Sequence, residues 1–184
     1  MLTLIILVVL LIGVYAGARR GLVLQVVYTI GYILSFFVAK AYYLNLSEKL
    51  EMLVPYSQPG IDDNMIYYNT AEKLNLDYAF YNALAFLLII AIGWLITRII
   101  GYMLNSLTFL PLLREVNYLG GGLLGFIMQY LAIFLFLKFL TFIPFEFVQD
   151  QFTNSGLANW IVQNTPYLST AVYDWWLGIV NTSQ

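Results

Sequence analysis

Residue types suited to catalysis or metal binding are scarce in this chain of 184 residues. It contains no histidine and no cysteine, which excludes imidazole acid–base catalysis, thiol nucleophiles, disulfides and the common zinc sites. Asp62 and Asp63 are adjacent carboxylates that could bind a cation weakly, but a solvated acidic loop is the simpler interpretation. The sequence therefore predicts no enzyme, with no catalytic residue, no metal ligand and no cofactor site.

Two glutamines stand inside long apolar runs of the chain. Gln25 shares a helix face with Thr29, and Gln129 lies near the middle of its run. Glutamine in a membrane is usually an interhelical hydrogen-bonding group, although a polar residue there can also line a pathway. We expect both glutamines to hold helices together, and a pore or substrate contact at Gln129 stays open as the alternative.

The elements that position these residues are four apolar runs, which predict an all-α polytopic membrane protein. Hydrophobic residues make up 61% of the chain and charged residues 10%, against about 25% charged in a soluble domain. A helix of about 20 apolar residues spans a bilayer core. The predicted transmembrane helices cover residues 2–18, 21–43, 79–104 and 119–143.

The segments between and after the runs predict the domain organisation. Residues 1–143 form a four-helix membrane domain, in which residues 44–78 are a long acidic outer loop. Residues 144–184 begin at a helix-breaking proline and interleave aromatic and polar residues, which predicts an extracytoplasmic tail of one or two short amphipathic helices on the membrane surface. A frayed tail end is the alternative.

Charge next to the apolar runs predicts the orientation. Basic residues of short loops stay on the cytoplasmic side of a membrane, whereas the long loop and the tail are acidic. Both termini are then extracytoplasmic, and Lys40 and Lys138 lie near the outer ends of their spans, where a long amine can extend to the headgroups. The residues that set this topology are Arg19, Arg20, Arg98 and Arg114.

The first run has one feature of a signal peptide. Ala16-Gly17-Ala18 has the small-x-small form of a cleavage site, but no basic residue precedes the run. Because a signal peptide needs that basic region, we expect a retained helix. Arg19 and Arg20 then form a two-residue loop of a tight helical hairpin.

Small residues recur at the spacing of helix–helix contacts. In lipid, such residues let two backbones approach closely. We expect three packing faces, and whether they serve one chain or an oligomer is open. The face on the first run contains Gly13 and Gly17, and the face on the fourth run contains Gly121 and Gly125. The face on the third run contains Gly93, Thr97, Gly101 and Asn105.

Three segments resemble the colicin V production (CvpA) family. Gly17-Ala-Arg-Arg-Gly21 resembles the Gly-x-x-Arg-Gly turn that follows the family's first helix. Asn117-Tyr-Leu-Gly-Gly-Gly-Leu-Leu-Gly125 resembles the glycine-rich start of its fourth helix, and Asn154-Ser155, followed by Pro166, resembles its tail. The family's acidic residue before helix one and its arginine after the asparagine are absent here. These departures indicate a divergent, Gram-positive branch.

The resemblance implies a role at the level of the cell and no activity for any residue. Family members are bacterial plasma-membrane or inner-membrane proteins, linked to production of a secreted peptide toxin and to envelope homeostasis. We expect a non-enzymatic membrane factor that acts through the lipid bilayer and an envelope or secretion partner, with a homo-oligomer as a further option and no nucleic acid. The alternative is a small channel or transporter subunit with a pathway formed in an oligomer.

Overall fold

The structure is a computed structural model that describes residues 1–60, 65–68, 73, 75–104 and 114–178. Within this part of the chain it is all-helical, and four helices are long and apolar enough to cross a membrane. The prediction of an all-α polytopic membrane protein is therefore confirmed. The helices are α1 (Leu2–Arg20), α2 (Leu22–Glu51), α3 (Leu76–Met103), α4 (Arg114–Leu140), α5 (Glu146–Thr153), α6 (Gly156–Asn164) and α7 (Leu168–Leu177).

The observed helices are longer than the apolar runs that predict them. α1 ends at Arg20, so the two arginines form its last turn rather than a loop, where basic side chains interact favourably with the helix dipole. α2 continues to Glu51, and α4 begins at Arg114 with Glu115 in its first turn. A helix can continue beyond the bilayer with polar residues, because only the part that spans the bilayer must be apolar.

Some predictions fall on residues that the structure does not describe. They concern the carboxylates Asp62 and Asp63 of the outer loop. Asn105, on the predicted small-residue face of the third run, also lies outside the described residues.

The chain divides into two compact units. The arginine unit comprises Leu4–Ala41 and Leu88–Ile133, and the aromatic unit comprises Met1–Thr3, Tyr42–Leu87 and Phe134–Gln184. By sequence, the arginine unit contains five basic residues and one acidic residue, whereas the aromatic unit contains three lysines and nine carboxylates. The division into a membrane domain and a tail, with its boundary at residue 143, stays a prediction.

In the arginine unit, α1 contacts α4 through glycine backbones. A Cβ atom on Gly125 would lie 2.5 Å from the Gly13 carbonyl oxygen, and one on Gly121 would lie 2.5 Å from the Gly17 carbonyl oxygen. Such distances are far inside van der Waals contact, so no larger residue fits without moving a backbone. The helices meet here at the closest approach that two backbones allow.

A second seam joins α2 and α3 in the same unit. Gly93 faces Ser35, and Thr97 faces Gly31. The hydroxyls of Ser35 and Thr97 donate to carbonyl oxygens one turn earlier on their own helices, at 2.7 Å each. The polar atoms are therefore satisfied locally, and the helix contact depends on size alone.

The aromatic unit has a core of rings instead. Trp176 is fully buried, and its ring centroid lies 5.7 Å from that of Phe86 and 5.9 Å from that of Phe142. Tyr68 stacks on Phe142 with centroids 5.3 Å apart. Large aromatic side chains fill this core, and each ring buries much apolar surface.

The tail belongs to this core. It folds into three short helices rather than one or two, and Phe152, Ile161 and Val172 on successive helices are buried. The Ser155 hydroxyl caps α6 by accepting from the Ala158 N–H and is hydrogen-bonded to the Thr3 hydroxyl at 2.8 Å. Burial and capping together stabilise the arrangement of α5, α6 and α7.

Lys138 does not extend to the headgroups as expected. Its side chain is 6% exposed, and its amine lies 4.9 Å from the centroid of the Tyr173 ring. The prediction that this lysine extends outward is wrong, because α7 supplies an aromatic face within reach of the amine. Lys40, in contrast, is exposed.

Candidate functional site at the arginine turn

The turn between α1 and α2 is fixed by the start of α4. Gly21 joins the two helices with a φ of 80°, a conformation that glycine adopts without steric cost. The Asn117 side chain lies directly against Gly21, and its Oδ1 atom accepts from the Leu22 N–H at 2.7 Å. Asn117 thus satisfies a donor at the start of α2 that has no partner within the helix.

Arg20 turns from this corner back along α2. Its Nη1 atom donates to Gln25 Oε1 at 3.4 Å, and its guanidinium carbon lies 4.6 Å from the centroid of the Tyr28 ring. Gln25 is 2% exposed and Tyr28 is 5% exposed. Tyr32, a further turn along, is hydrogen-bonded to Arg20 and lies within the electrostatic range of Arg98. We name Arg20, Gln25, Tyr28, Tyr32 and Arg98 the arginine–tyrosine cluster.

The other residues that set the predicted topology are more open. Arg19, Arg98 and Arg114 are exposed. The Arg98 guanidinium lies 5.1 Å from the centroid of the Trp94 ring. The structure thus turns Arg20 toward the Tyr28 ring and leaves Arg19, Arg98 and Arg114 exposed.

The intramembrane glutamines lie in different surroundings. Gln25 accepts from Arg20, whereas the Cβ and Cγ atoms of Gln129 pack against Gly13. Gln129 is half-buried. Its methylene groups therefore take part in the α1–α4 contact.

The predicted packing glycines fall into the two seams. Gly13, Gly17, Gly121 and Gly125 meet between α1 and α4, and Gly93 meets Ser35 of α2. Gly101 lies against the Tyr28 ring, which places the second seam next to the arginine–tyrosine cluster. These contacts join helices of one chain.

Chemically, the cluster is suited to holding an anion. It offers guanidinium and hydroxyl donors and one amide, but no carboxylate among the described residues that contact Arg20. Among the described residues, no group of three or more His, Cys, Asp or Glu side chains is placed to hold a metal ion. Binding is therefore the chemistry that this arrangement supports.

Two tyrosines of the outer loop have perturbed ionisation. Burial raises the pKa of Tyr67 to about 12, and its hydroxyl donates to Asn159 Oδ1. Burial, with the Asp77 carboxylate second, raises the pKa of Tyr56, whose hydroxyl donates to the Phe142 carbonyl at 2.7 Å. Both hydroxyls stay protonated at neutral pH and tie the loop to the rest of the aromatic unit.

Some residues that position these sites were missed from sequence. Gly31 and Ser35 complete the α2 side of the second seam. They are two small residues four positions apart, and this spacing was a signal for the seam. Asn82 is fully buried, and its Nδ2 atom donates to the Trp176 carbonyl at 2.9 Å. Nothing in the sequence marks Asn82, because its partner is almost a hundred residues away.

The fold defines a multi-pass helical membrane protein, and the comparisons with known proteins agree with this class. The family described as Colicin V production protein matches residues 2–166. The "Uncharacterized transmembrane protein YshB" of Bacillus subtilis (strain 168) is 34% identical over 176 residues, which cover 96% of this chain and 97% of that protein. No solved structure matches the chain.

The chain belongs to the colicin V production protein family. The resemblance found in the sequence is confirmed, and the relative from Bacillus agrees with a Gram-positive branch. Two of the three segments that carry the resemblance, the glycine–arginine turn and the glycine-rich start of α4, are in direct contact at Gly21 and Asn117.

Proposed function

We propose that this protein is a non-enzymatic factor of the bacterial plasma membrane that supports peptide-toxin production or export, or envelope homeostasis, by contacting an envelope protein. The main observation that supports this proposal is the folded tail. Its helices bury their own apolar side chains in the aromatic unit but leave large aromatic residues exposed. The exposed aromatic residues are Phe145, Phe147, Trp160 and Tyr167.

The charges of the tail support a protein contact. Glu146 and Asp150 lie on α5 beside Phe147, whose side chain is 75% exposed. Aromatic residues surrounded by charge are typical of protein interfaces, whereas adjacent carboxylates are poorly suited to an anionic lipid surface. A basic, apolar partner surface on the extracytoplasmic side fits this pattern.

The test is complementation of a deletion strain of a toxin-producing host. The wild-type gene should restore the secreted toxin activity and the barrier to a hydrophobic dye. Phe147→Ala combined with Trp160→Ala should restore neither, at normal protein level. Tyr102→Ala is the control, because Tyr102 is an 82% exposed aromatic residue of the arginine unit. Full function of the tail variant would contradict the proposal.

The channel alternative has one supporting observation, which is that Gln129 is a polar residue of a spanning helix and is partly exposed. Purified protein in liposomes would then conduct an ion or solute, and Gln129→Leu would abolish the flux. The docking role predicts no flux and an intact complementation by Gln129→Leu. Flux that depends on Gln129 would replace the first proposal with the second.

We also propose that the arginine side faces the cytoplasm and that both termini are extracytoplasmic. In support, both termini and the acidic loop belong to one unit and all four arginines belong to the other. Because the chain has no cysteine, single cysteines can report the sides. A cysteine at Ser57 should react with an impermeant reagent in intact cells, and one at Tyr118 only after lysis. The opposite result would invert the topology.

A further inference from the structure

The direction of the Arg20 side chain needs a physical reason. A basic residue at the end of a spanning helix normally extends toward water or headgroups. The Arg20 guanidinium instead lies over Tyr28, whose position is six residues into α2 and thus about 9 Å along the helix. A charge turned inward in this way loses hydration.

The partners that Arg20 has within the described part of the chain are neutral. They are the Gln25 amide, the Tyr28 ring and the Tyr32 side chain. A ring face and an amide oxygen stabilise a guanidinium partly, but a partly buried charge is best stabilised by an opposite charge. The charge of Arg98 also acts on Tyr32, so the cluster lies in the field of a second cation.

The helix ends at this corner add to the positive potential. α2 begins two residues after Arg20, and the start of α4 is docked there through Asn117. Each helix N-terminus carries a partial positive charge. Glu115 is the one acidic residue in the sequence of the arginine unit, and it is exposed in the first turn of α4.

We propose that the arginine–tyrosine cluster binds the phosphate of an anionic membrane lipid, with Arg20 as its main ligand. The guanidinium fork matches phosphate oxygens in a bidentate manner, and the hydroxyl of Tyr32 supplies a further donor. A lipid is favoured over free phosphate by the surface next to Arg98. Trp94, Leu95 and Ile99 are 45%, 54% and 56% exposed, and this apolar surface suits acyl chains.

This inference goes beyond the proposed envelope role and does not depend on it. The bound lipid would fill the corner between α1, α2 and α4 in the leaflet on the arginine side. Basic pockets between transmembrane helices are known to take lipid headgroups in this way. The cluster would then couple the packing of the arginine unit to the anionic lipid content of the membrane.

Arg19 offers a matched control for the test. It adjoins Arg20 in the last turn of α1 but is exposed, so Arg19→Gln and Arg20→Gln change the net charge equally. Native mass spectrometry of the full chain, titrated with phosphatidylglycerol, gives the affinity. Arg20→Gln should weaken binding about tenfold or more, the effect of losing a charge-assisted hydrogen bond. Arg19→Gln should bind as wild type.

Three arms decide the assignment. Phosphatidylglycerol should bind the wild type, while phosphatidylcholine and inorganic phosphate should not compete. An equal loss of phosphatidylglycerol affinity in Arg19→Gln and Arg20→Gln would overturn the site, because the lipid would then be held by nonspecific charge attraction. Competition by inorganic phosphate would overturn the lipid as its source. If Arg20→Gln does not fold, the affinity for phosphatidylglycerol is measured for Tyr32→Phe and Arg98→Gln instead. Wild-type affinity in both variants would overturn the proposal.

Discussion

The arginine unit and the aromatic unit are held together by opposite means. In the arginine unit, glycines bring backbones together until no Cβ atom fits between Gly125 and the Gly13 carbonyl. In the aromatic unit, large rings such as Trp176 and Phe86 pack against one another to form the core. One unit depends on the absence of side chains and the other on their bulk.

The polar groups follow the same contrast. Hydroxyls in the seams of the arginine unit bond to their own helices, as Ser35 and Thr97 do. In the aromatic unit, side chains reach the carbonyls of other segments: Tyr43 donates to the Trp175 carbonyl at 3.1 Å and Tyr81 to the Val54 carbonyl at 2.7 Å. Larger side chains at the seams should therefore destabilise the arginine unit, and truncated side chains in the core should destabilise the aromatic unit.

The largest effect is expected for Trp176→Ala. The change removes a fully buried indole from the centre of the aromatic unit and should lower the free energy of unfolding by about 3–5 kcal/mol. Thermal unfolding in detergent measures it. Trp160→Ala is the control, because Trp160 is 53% exposed. Equal destabilisation by the two variants would mean that Trp176 is not at the core.

The next effect is expected for Gly125→Ala. Its new methyl group would lie 2.5 Å from the Gly13 carbonyl oxygen, and overpacking of this kind costs about 1–3 kcal/mol. Gly122→Ala on the same helix should be neutral or slightly stabilising, because its Cβ atom would meet no atom closer than 3.5 Å and alanine favours a helix. The yield of monodisperse protein on size exclusion compares them, and the reverse order would place the seam on the wrong face of α4.

A smaller effect is expected at the turn. Asn117→Ala removes the acceptor of the Leu22 N–H and should cost about 1 kcal/mol, as the loss of a helix cap does. Asn117→Asp keeps that oxygen and places a negative charge near a helix N-terminus, so it should retain most of the stability. Thermal unfolding distinguishes them, and a more stable alanine variant would contradict the role of Asn117.

The last effect concerns Tyr67 and is confined to alkaline pH. Because folding raises its pKa from 10.0 to about 12, the folded state holds the proton more tightly than the unfolded state. This contribution to stability is complete below pH 10 and is lost as the pH rises to about 12. Tyr67→Phe should flatten that part of a stability–pH curve, whereas Tyr167→Phe, an exposed control, should not. Identical curves for both variants would refute the prediction.

The sequence predicted the spans because apolar length is a local property. It also singled out the glycines that α1, α3 and α4 contribute to the seams, since small residues at helical spacing have a direct steric meaning, but it missed Gly31 of α2. It did not predict the buried state of Lys138, because the Tyr173 ring that covers it comes from α7. The inward turn of Arg20 was missed as well, since a basic residue beside an apolar run has the same sequence signal whichever way it points.

The central claim, that α1 and α4 of one chain meet through small residues, has a direct test. A Cβ atom at position 122 would lie 3.5 Å from the Ala18 Cβ atom, within the range of about 3.5–4.5 Å that a disulfide requires. The chain has no cysteine of its own. Ala18→Cys with Gly122→Cys should therefore form an intramolecular disulfide in membranes, seen as an oxidised band of monomer size. Ala18→Cys with Leu123→Cys, where Leu123 is 63% exposed, should not. A crosslink found only between chains, or none at all, would contradict the account.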